Sequence, residues 1–303
     1  MLPRLLVLLA ITIWGWTFVA TKIALDYLSP TEILGIRFAL GAPMLYLILR
    51  ARGLRLSFAR AERRSVALGA LIIGAHLWLQ AFALQYTSAT NTGWIIGVCP
   101  LALAALAFFI LKERIGRKTA LGMALASAGI LLLISKGELS KLDWLGSIGD
   151  WLILLSAFTW GLFTITTRDI SRSHNPLAVA LAVILPATAA TIVYMLFTSD
   201  WRMIAQLPTA PLAALVFLGV LGTALANWFW QVCVARLGAV KTGMFLYLEP
   251  LATTALAVPY LGEQFGWHTA LGGTLVIFGV YVSEMKRKRR EPGTNHRRRV
   301  WGV

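Results

Sequence analysis

From Ser65 to Leu111 the chain runs for 47 residues without one Asp, Glu, Lys or Arg. As a single helix that run is about 70 Å long, more than twice the hydrocarbon core of a bilayer. It must therefore fold back. The polar, glycine-containing stretch from Gln85 to Gly93, QYTSATNTG, is where it turns. Charged residues are 14% of the chain, where a soluble protein carries about a quarter. These features describe a polytopic membrane protein.

An internal repeat organises the rest. Thr92 to Glu113, TGWIIGVCPLALAALAFFILKE, recurs at an offset of 150 as Thr242 to Glu263, TGMFLYLEPLATTALAVPYLGE, with ten of 22 positions identical. An apolar composition inflates matches of Leu and Ala, but not Gly93 with Gly243, Pro100 with Pro250 or Glu113 with Glu263. Earlier in each copy, Trp14-Gly15 through Lys22 matches Trp160-Gly161 through Arg168 at an offset of 146, which Ser29-Pro30 and Asn175-Pro176 keep. Ten apolar spans follow, at about 4–24, 31–50, 65–86, 90–111, 117–135, 149–168, 176–198, 211–234, 240–261 and 268–285. The reading is an all-α integral membrane fold. Residues 1–138 form one five-helix repeat, 139–285 a second, and 286–303 a basic cytoplasmic tail.

The formal charge of +15 invites a nucleic-acid partner, but its distribution argues against one. Alternate loops place 23 Lys and Arg on one side and four on the other: Lys22, Lys136, Lys141 and Arg202. By the positive-inside rule both termini are cytoplasmic. Five spans per copy then make the second copy enter from the opposite side, so the halves are inverted about an axis in the membrane plane. Cys99 and Cys233 both fall in apolar spans and read as reduced core residues. Arg4 and Leu5 to Thr21 resemble the start of a signal peptide, but no small-residue cleavage site follows.

Tryptophan normally prefers the headgroup belt. Trp144, Trp151, Trp201 and Trp267 suit the outer one, whereas Trp14, Trp78, Trp160 and Trp228 fall near mid-span. The four either line a cavity or pack against neighbouring helices, and they form repeat pairs, 14 with 160 and 78 with 228. Phe82 and Gln85 share the helical face of Trp78. Trp94 and Tyr247, in the repeated stretch, join the candidate lining. Gln80, Asn227 and Thr242 are polar groups for a pathway or for joining helices, and Asn91 belongs with them. Pro100 and Pro250, each seven residues after Gly93 or Gly243, mark a hinge or a static bend. Glu249, beside Pro250, is an intramembrane acid. It either carries a proton, meets a substrate ammonium, or is a structural carboxyl near the bend, protonated or paired with Arg37. His76 is either a hydrogen-bonded packing residue or a proton relay. Glu113 and Glu263 end their spans. Gly122, Gly129, Gly272 and Gly279 let the fifth and tenth spans approach other helices closely, in packing or in a dimer.

No Walker A, HExxH, CxxC or GxSxG pattern occurs, and nothing suggests a metal or another cofactor. Sparse mid-depth polarity argues against a channel. On Trp14-Gly15 with Lys22, Arg37-Phe38, and the Pro100–Glu113 and Pro250–Glu263 signatures, the chain resembles the drug/metabolite transporter superfamily. Within it, the likeness is to two-repeat EamA-type carriers and the YddG-type bacterial aromatic amino-acid exporters. That resemblance implies a basket of ten helices around a central cavity, with the fifth and tenth outside. It implies a bacterial cytoplasmic (inner) membrane carrier that exports amino acids or aromatic drugs by alternating access, for which a monomer suffices. Proton-coupled drug or metabolite efflux through Glu249 stays open beside it.

Overall fold

The computed structural model describes residues 2–135, 137–138, 145–262 and 266–285. Lys136, Lys141, Trp144, Glu263 and the tail from Lys286 lie outside the described residues. Among the described residues all regular structure is helical. Eight stretches are long and apolar enough to cross a membrane: α1 Leu2–Leu25, α2 Pro30–Ala51, α3 Arg60–Ala83, α4 Ala89–Leu111, α5 Arg117–Ile134, α6 Ile148–Ser173, α7 Pro176–Thr198 and α8 Thr209–Leu237. The sequence expects ten. The ninth stretch, α9, is broken into Ala239–Met244, Phe245–Leu248 and Glu249–Leu261. The tenth, α10 Trp267–Glu284, is 18 residues long and carries His268 and Glu284 near its ends.

Local chemistry sets where these helices start. Ser29 precedes Pro30, whose missing N–H costs nothing in a first turn. The Ser29 hydroxyl accepts from Glu32 N at 3.3 Å, and the Glu32 carboxylate accepts from Ser29 N at 2.9 Å. Ser147 and Asp150 repeat this reciprocal cap at the start of α6, at 3.1 and 2.9 Å. Asn175 Oδ1 accepts from Leu177 N at 3.0 Å ahead of α7, again with proline in the first turn.

The proline expectation needs a correction. Pro100 and Pro250 do not kink continuous helices. The α-helix of α4 stops at Ile96 and resumes at Cys99, and α9 passes through a 3-10 turn over Phe245–Leu248. Each proline sits in the first turn of the resumed helix, where its ring blocks no hydrogen bond. A further irregularity is a π-helical stretch, Phe217–Leu225, inside α8.

Contacts between the copies are reciprocal. A Cβ on Gly93 would lie 2.7 Å from Thr253, and one on Gly243 would lie 2.5 Å from Leu103. Thr253 and Leu103 are themselves 150 apart. A Cβ on Gly122 meets Gly279 O at 2.4 Å, and one on Gly129 meets Gly272 O at 2.5 Å. α5 and α10 thus pack backbone to backbone on each other within one chain. Trp151, Trp201 and Trp267 are exposed at the starts of their helices.

The same reciprocity yields an unequal pair. A Cβ on Gly15 meets the backbone of α9, Thr253 N at 2.9 Å and Glu249 O at 3.0 Å, while one on Gly161 meets the mobile end of Leu106 at 2.8 Å. Overpacking against backbone costs about 1–3 kcal/mol. Gly15→Ala is expected to lower the thermal unfolding midpoint in detergent clearly more than Gly161→Ala. Equal shifts would contradict this packing.

Candidate functional site

Where the copies meet, the helices leave a small cavity, with about 30 Å³ open to a water-sized sphere, room for a water or two until the walls move. Part of its wall comes in repeat-related pairs. Trp14 of α1 faces Trp160 of α6, Leu77 of α3 corresponds to Asn227 of α8, Ile96 of α4 to Leu246 of α9, and Cys99 of α4 to Glu249 of α9. Thr17 and Phe18 of α1, Arg37 of α2, and His76 and Gln80 of α3 complete the lining.

Indole rings form part of the wall. The rings of Trp14 and Trp160 meet edge to face at 4.9 Å, and Trp230 lies 5.4 Å from the first and 5.2 Å from the second. Such pairs hold one another in place beyond their burial. Trp14 Nε1 donates to Gly222 O at 3.1 Å. That carbonyl belongs to the π-helical stretch, a kind of irregularity that often marks functional sites. Asn227 Nδ2 donates to the same carbonyl at 3.3 Å and to Thr223 O at 3.0 Å. Asn227 Oδ1 and Trp160 Nε1 are buried with no partner among the described residues.

The polar groups are one-sided. Arg37 is buried, and its Nε donates to Thr223 Oγ1 at 2.9 Å. Its repeat counterpart is Val183. Glu249, 4% exposed, stands opposite a cysteine in the repeat. No ion pair joins Arg37 to Glu249 among the described residues, so the structure gives no support to a paired structural carboxyl. His76 Nδ1 donates to Ser156 O at 3.1 Å and lies 2.9 Å from Thr159 Oγ1, with its ring 5.1 Å from Trp160. The imidazole is thus held on α6 with its edge on the cavity. The cysteines are buried and unbridged.

Several candidate residues lie elsewhere. Trp78 is 43% exposed, stacked on Phe82 at 5.1 Å on the outer face of α3, and Gln85 is exposed beyond them. Trp228 lies under Arg52, whose guanidinium is 4.8 Å from the ring. The physical reason is helical rotation: one residue turns the side chain by about 100°. Leu77 and Asn227 face inward, so the tryptophans after them do not. Trp94 is spent on a hydrogen bond to Thr254 at 3.1 Å, Tyr247 on Ser127 at 2.8 Å, and Thr242 on its own helix at Gly238 O, 2.8 Å. Asn91 and Thr87 both donate to Asp150 at 2.6 Å. Sequence reading missed Thr17, Phe18 and Trp230. The signal for Trp230 was present, since it stands three residues after Asn227 on one helical face.

At the end of the bundle that holds the N-terminus of α1, ion pairs tie helices together. Arg168 of α6 pairs with Glu113 after α4, and Arg4 with Glu284 at 2.5 Å; beside them His174 Nε2 lies 3.3 Å from the Glu62 carboxylate.

Comparison with known proteins gives consistent relatives. The family model for the EamA-like transporter family matches residues 1–135 and 147–285. An uncharacterized transporter, YyaM, of Bacillus subtilis (strain 168) is 30% identical over 272 residues, covering 89% of each chain. A probable amino-acid metabolite efflux pump of Escherichia coli (strain K12) is 26% identical, covering 92% of this chain and 93% of that one. A probable terminal-alkyne amino-acid exporter of Streptantibioticus cattleyicolor is 25% identical, with 96% of both chains covered. One solved crystal structure superposes with a TM-score of 0.75 at 20% identity, covering 93% of this chain and 97% of the other, which establishes likeness of fold alone.

Proposed function

The chain belongs to the EamA-like transporter family, and from that premise we propose that it is a secondary transporter exporting neutral amino acids, aromatic ones among them, and related small metabolites. On this reading ten spans form two inverted halves, with both termini in the cytoplasm of a bacterial cell. The halves rock about the cavity, and the discontinuities before Pro100 and Pro250 absorb the motion. The observation that carries the reading is the cavity itself. Indole rings and polar side chains share its lining, which suits a small amphipathic solute once the rocking halves widen it. The printed names of two relatives, an amino-acid metabolite efflux pump and an amino-acid exporter, support the substrate class.

Whole cells test this directly. Expression is expected to lower steady-state accumulation of radiolabelled leucine and phenylalanine and to raise tolerance of a toxic neutral amino-acid analogue. Unchanged accumulation and tolerance would overturn the reading. Trp78→Ala, outside the cavity, is expected to stay within about twofold of wild type in the same assay. This is the surface behaviour ordinary for an exposed side chain.

A second reading is favoured by one observation, the burial of Glu249 in the cavity wall. An intramembrane acid there suits proton-coupled efflux of a metabolite or drug. That reading expects uptake into acidic-inside vesicles that disappears in Glu249→Gln. Uptake unchanged by that substitution would rule the coupling out.

A further inference from the structure

We propose that the transported solute must be a zwitterion, its carboxylate received by Arg37 and its ammonium by Glu249. The inference rests on the amino-acid reading and deepens it by assigning the two ends. Both residues are at most 5% exposed, both line the same cavity, and no ion pair joins them among the described residues. Neither side chain serves as the other's partner, and a buried polar group left without a partner is costly. A guanidinium that uses only Nε, toward Thr223, keeps its outer nitrogens for a planar carboxylate. The Glu249 carboxylate makes no ion pair among the described residues and stands ready for a cation.

Charge balance selects among ligands. A simple amine satisfies Glu249 and leaves Arg37 unpaired. A simple carboxylate does the reverse. A phosphate ester asks for a second cation, which the lining does not hold. Only a solute with both charges closes both, and an α-amino acid carries them on one carbon. The one-sidedness of the wall fixes its orientation. Arg37 and Glu249 have Val183 and Cys99 as repeat counterparts, so the reversed pose meets no charges. Asn227 Oδ1, buried and unpartnered, adds an acceptor on the polar wall. The indoles of Trp14 and Trp160 are the apolar surface left for the rest of the solute.

The test is competition against leucine counterflow in proteoliposomes of the full chain, using 3-methylbutylamine, 4-methylpentanoate, leucine methyl ester and N-acetylleucine. Each lacks one of the two charges and is expected to compete at least about tenfold more weakly than unlabelled leucine. If the amine or the carboxylate competes as well as leucine, the zwitterion assignment is overturned while the amino-acid reading stands. If the wild type shows no leucine counterflow, the amino-acid reading fails and takes this proposal with it. Two variants assign the ends. Glu249→Gln is expected to shift the ratio of 4-methylpentanoate to leucine inhibition at least tenfold toward the carboxylate, and Arg37→Gln to shift the amine ratio likewise. Ratios do not depend on how much protein folds. Unshifted ratios in folded variants would overturn the assignment, and the wild-type competition decides alone where a variant does not fold.

Discussion

Trp160→Ala is expected to lower amino-acid counterflow by at least about tenfold, a loss near 1.4 kcal/mol of productive binding. The indole is 5% exposed and forms one wall of the cavity. It touches Trp14 at 4.9 Å, His76 at 5.1 Å, Trp230 at 5.2 Å and Phe163 at 5.3 Å. Removing it deletes the surface offered to an apolar side chain and releases the rings that lean on it. Truncating a buried tryptophan also costs about 3–5 kcal/mol of stability, so a lost signal needs a folding control. Trp160→Phe supplies one, because it keeps a ring while discarding the unpartnered Nε1. The phenylalanine variant is expected to fold and to keep part of the rate. Full wild-type counterflow in a folded alanine variant would sink the assignment of this wall.

The largest expected stability effect lies away from the cavity, where α5 and α10 meet. A Cβ on Gly122 would stand 2.4 Å from Gly279 O, 2.7 Å from Ser283 Cβ and 2.8 Å from Ser283 N. Backbone cannot yield as a side chain does, so Gly122→Leu must push the two helices apart along their whole seam. Small residues are what allow such approach inside a membrane, where no hydrophobic gain drives helices together. A strong loss of monodisperse protein is expected, with the unfolding free energy falling by the upper end of the overpacking range or more, ~3 kcal/mol. No residue of α5 or α10 lines the cavity. Transport per folded molecule should therefore stay within about twofold, and a specific transport defect in well-folded protein would show that the seam takes part in the cycle.

How much of this was legible in the sequence depends on the kind of signal. Apolar runs placed the helices, because hydrocarbon thickness and hydrogen-bond satisfaction leave few other solutions. Pro100 and Pro250 marked where α4 and α9 break, although the break falls just ahead of each ring. Arg37, Glu249, His76, Gln80 and Asn227 stood out as polar residues in apolar spans, and all five line the cavity. Trp14 and Trp160 were legible through the repeat.

What failed was rotation about a helix axis. Repeat symmetry correctly equated Trp78 with Trp228, but symmetry says only that both share one environment, not which. One residue earlier, Leu77 and Asn227 are the inward pair. Trp94, Thr242 and Tyr247 were misjudged for another reason: each has a hydrogen-bond partner on its own or a neighbouring helix that the sequence cannot place. The π-helical stretch Phe217–Leu225 left no compositional trace beyond Gly219 and Gly222, yet it supplies the carbonyl that holds both Trp14 and Asn227.

The most direct test of the central claim is counterflow of radiolabelled phenylalanine, tryptophan, leucine, threonine and lysine in proteoliposomes, with and without a pH gradient. Saturable uptake of the neutral amino acids without a gradient, with lysine weak or absent, is the predicted result. Absence of uptake for all five under both conditions would contradict the account and leave the fold without its proposed substrate.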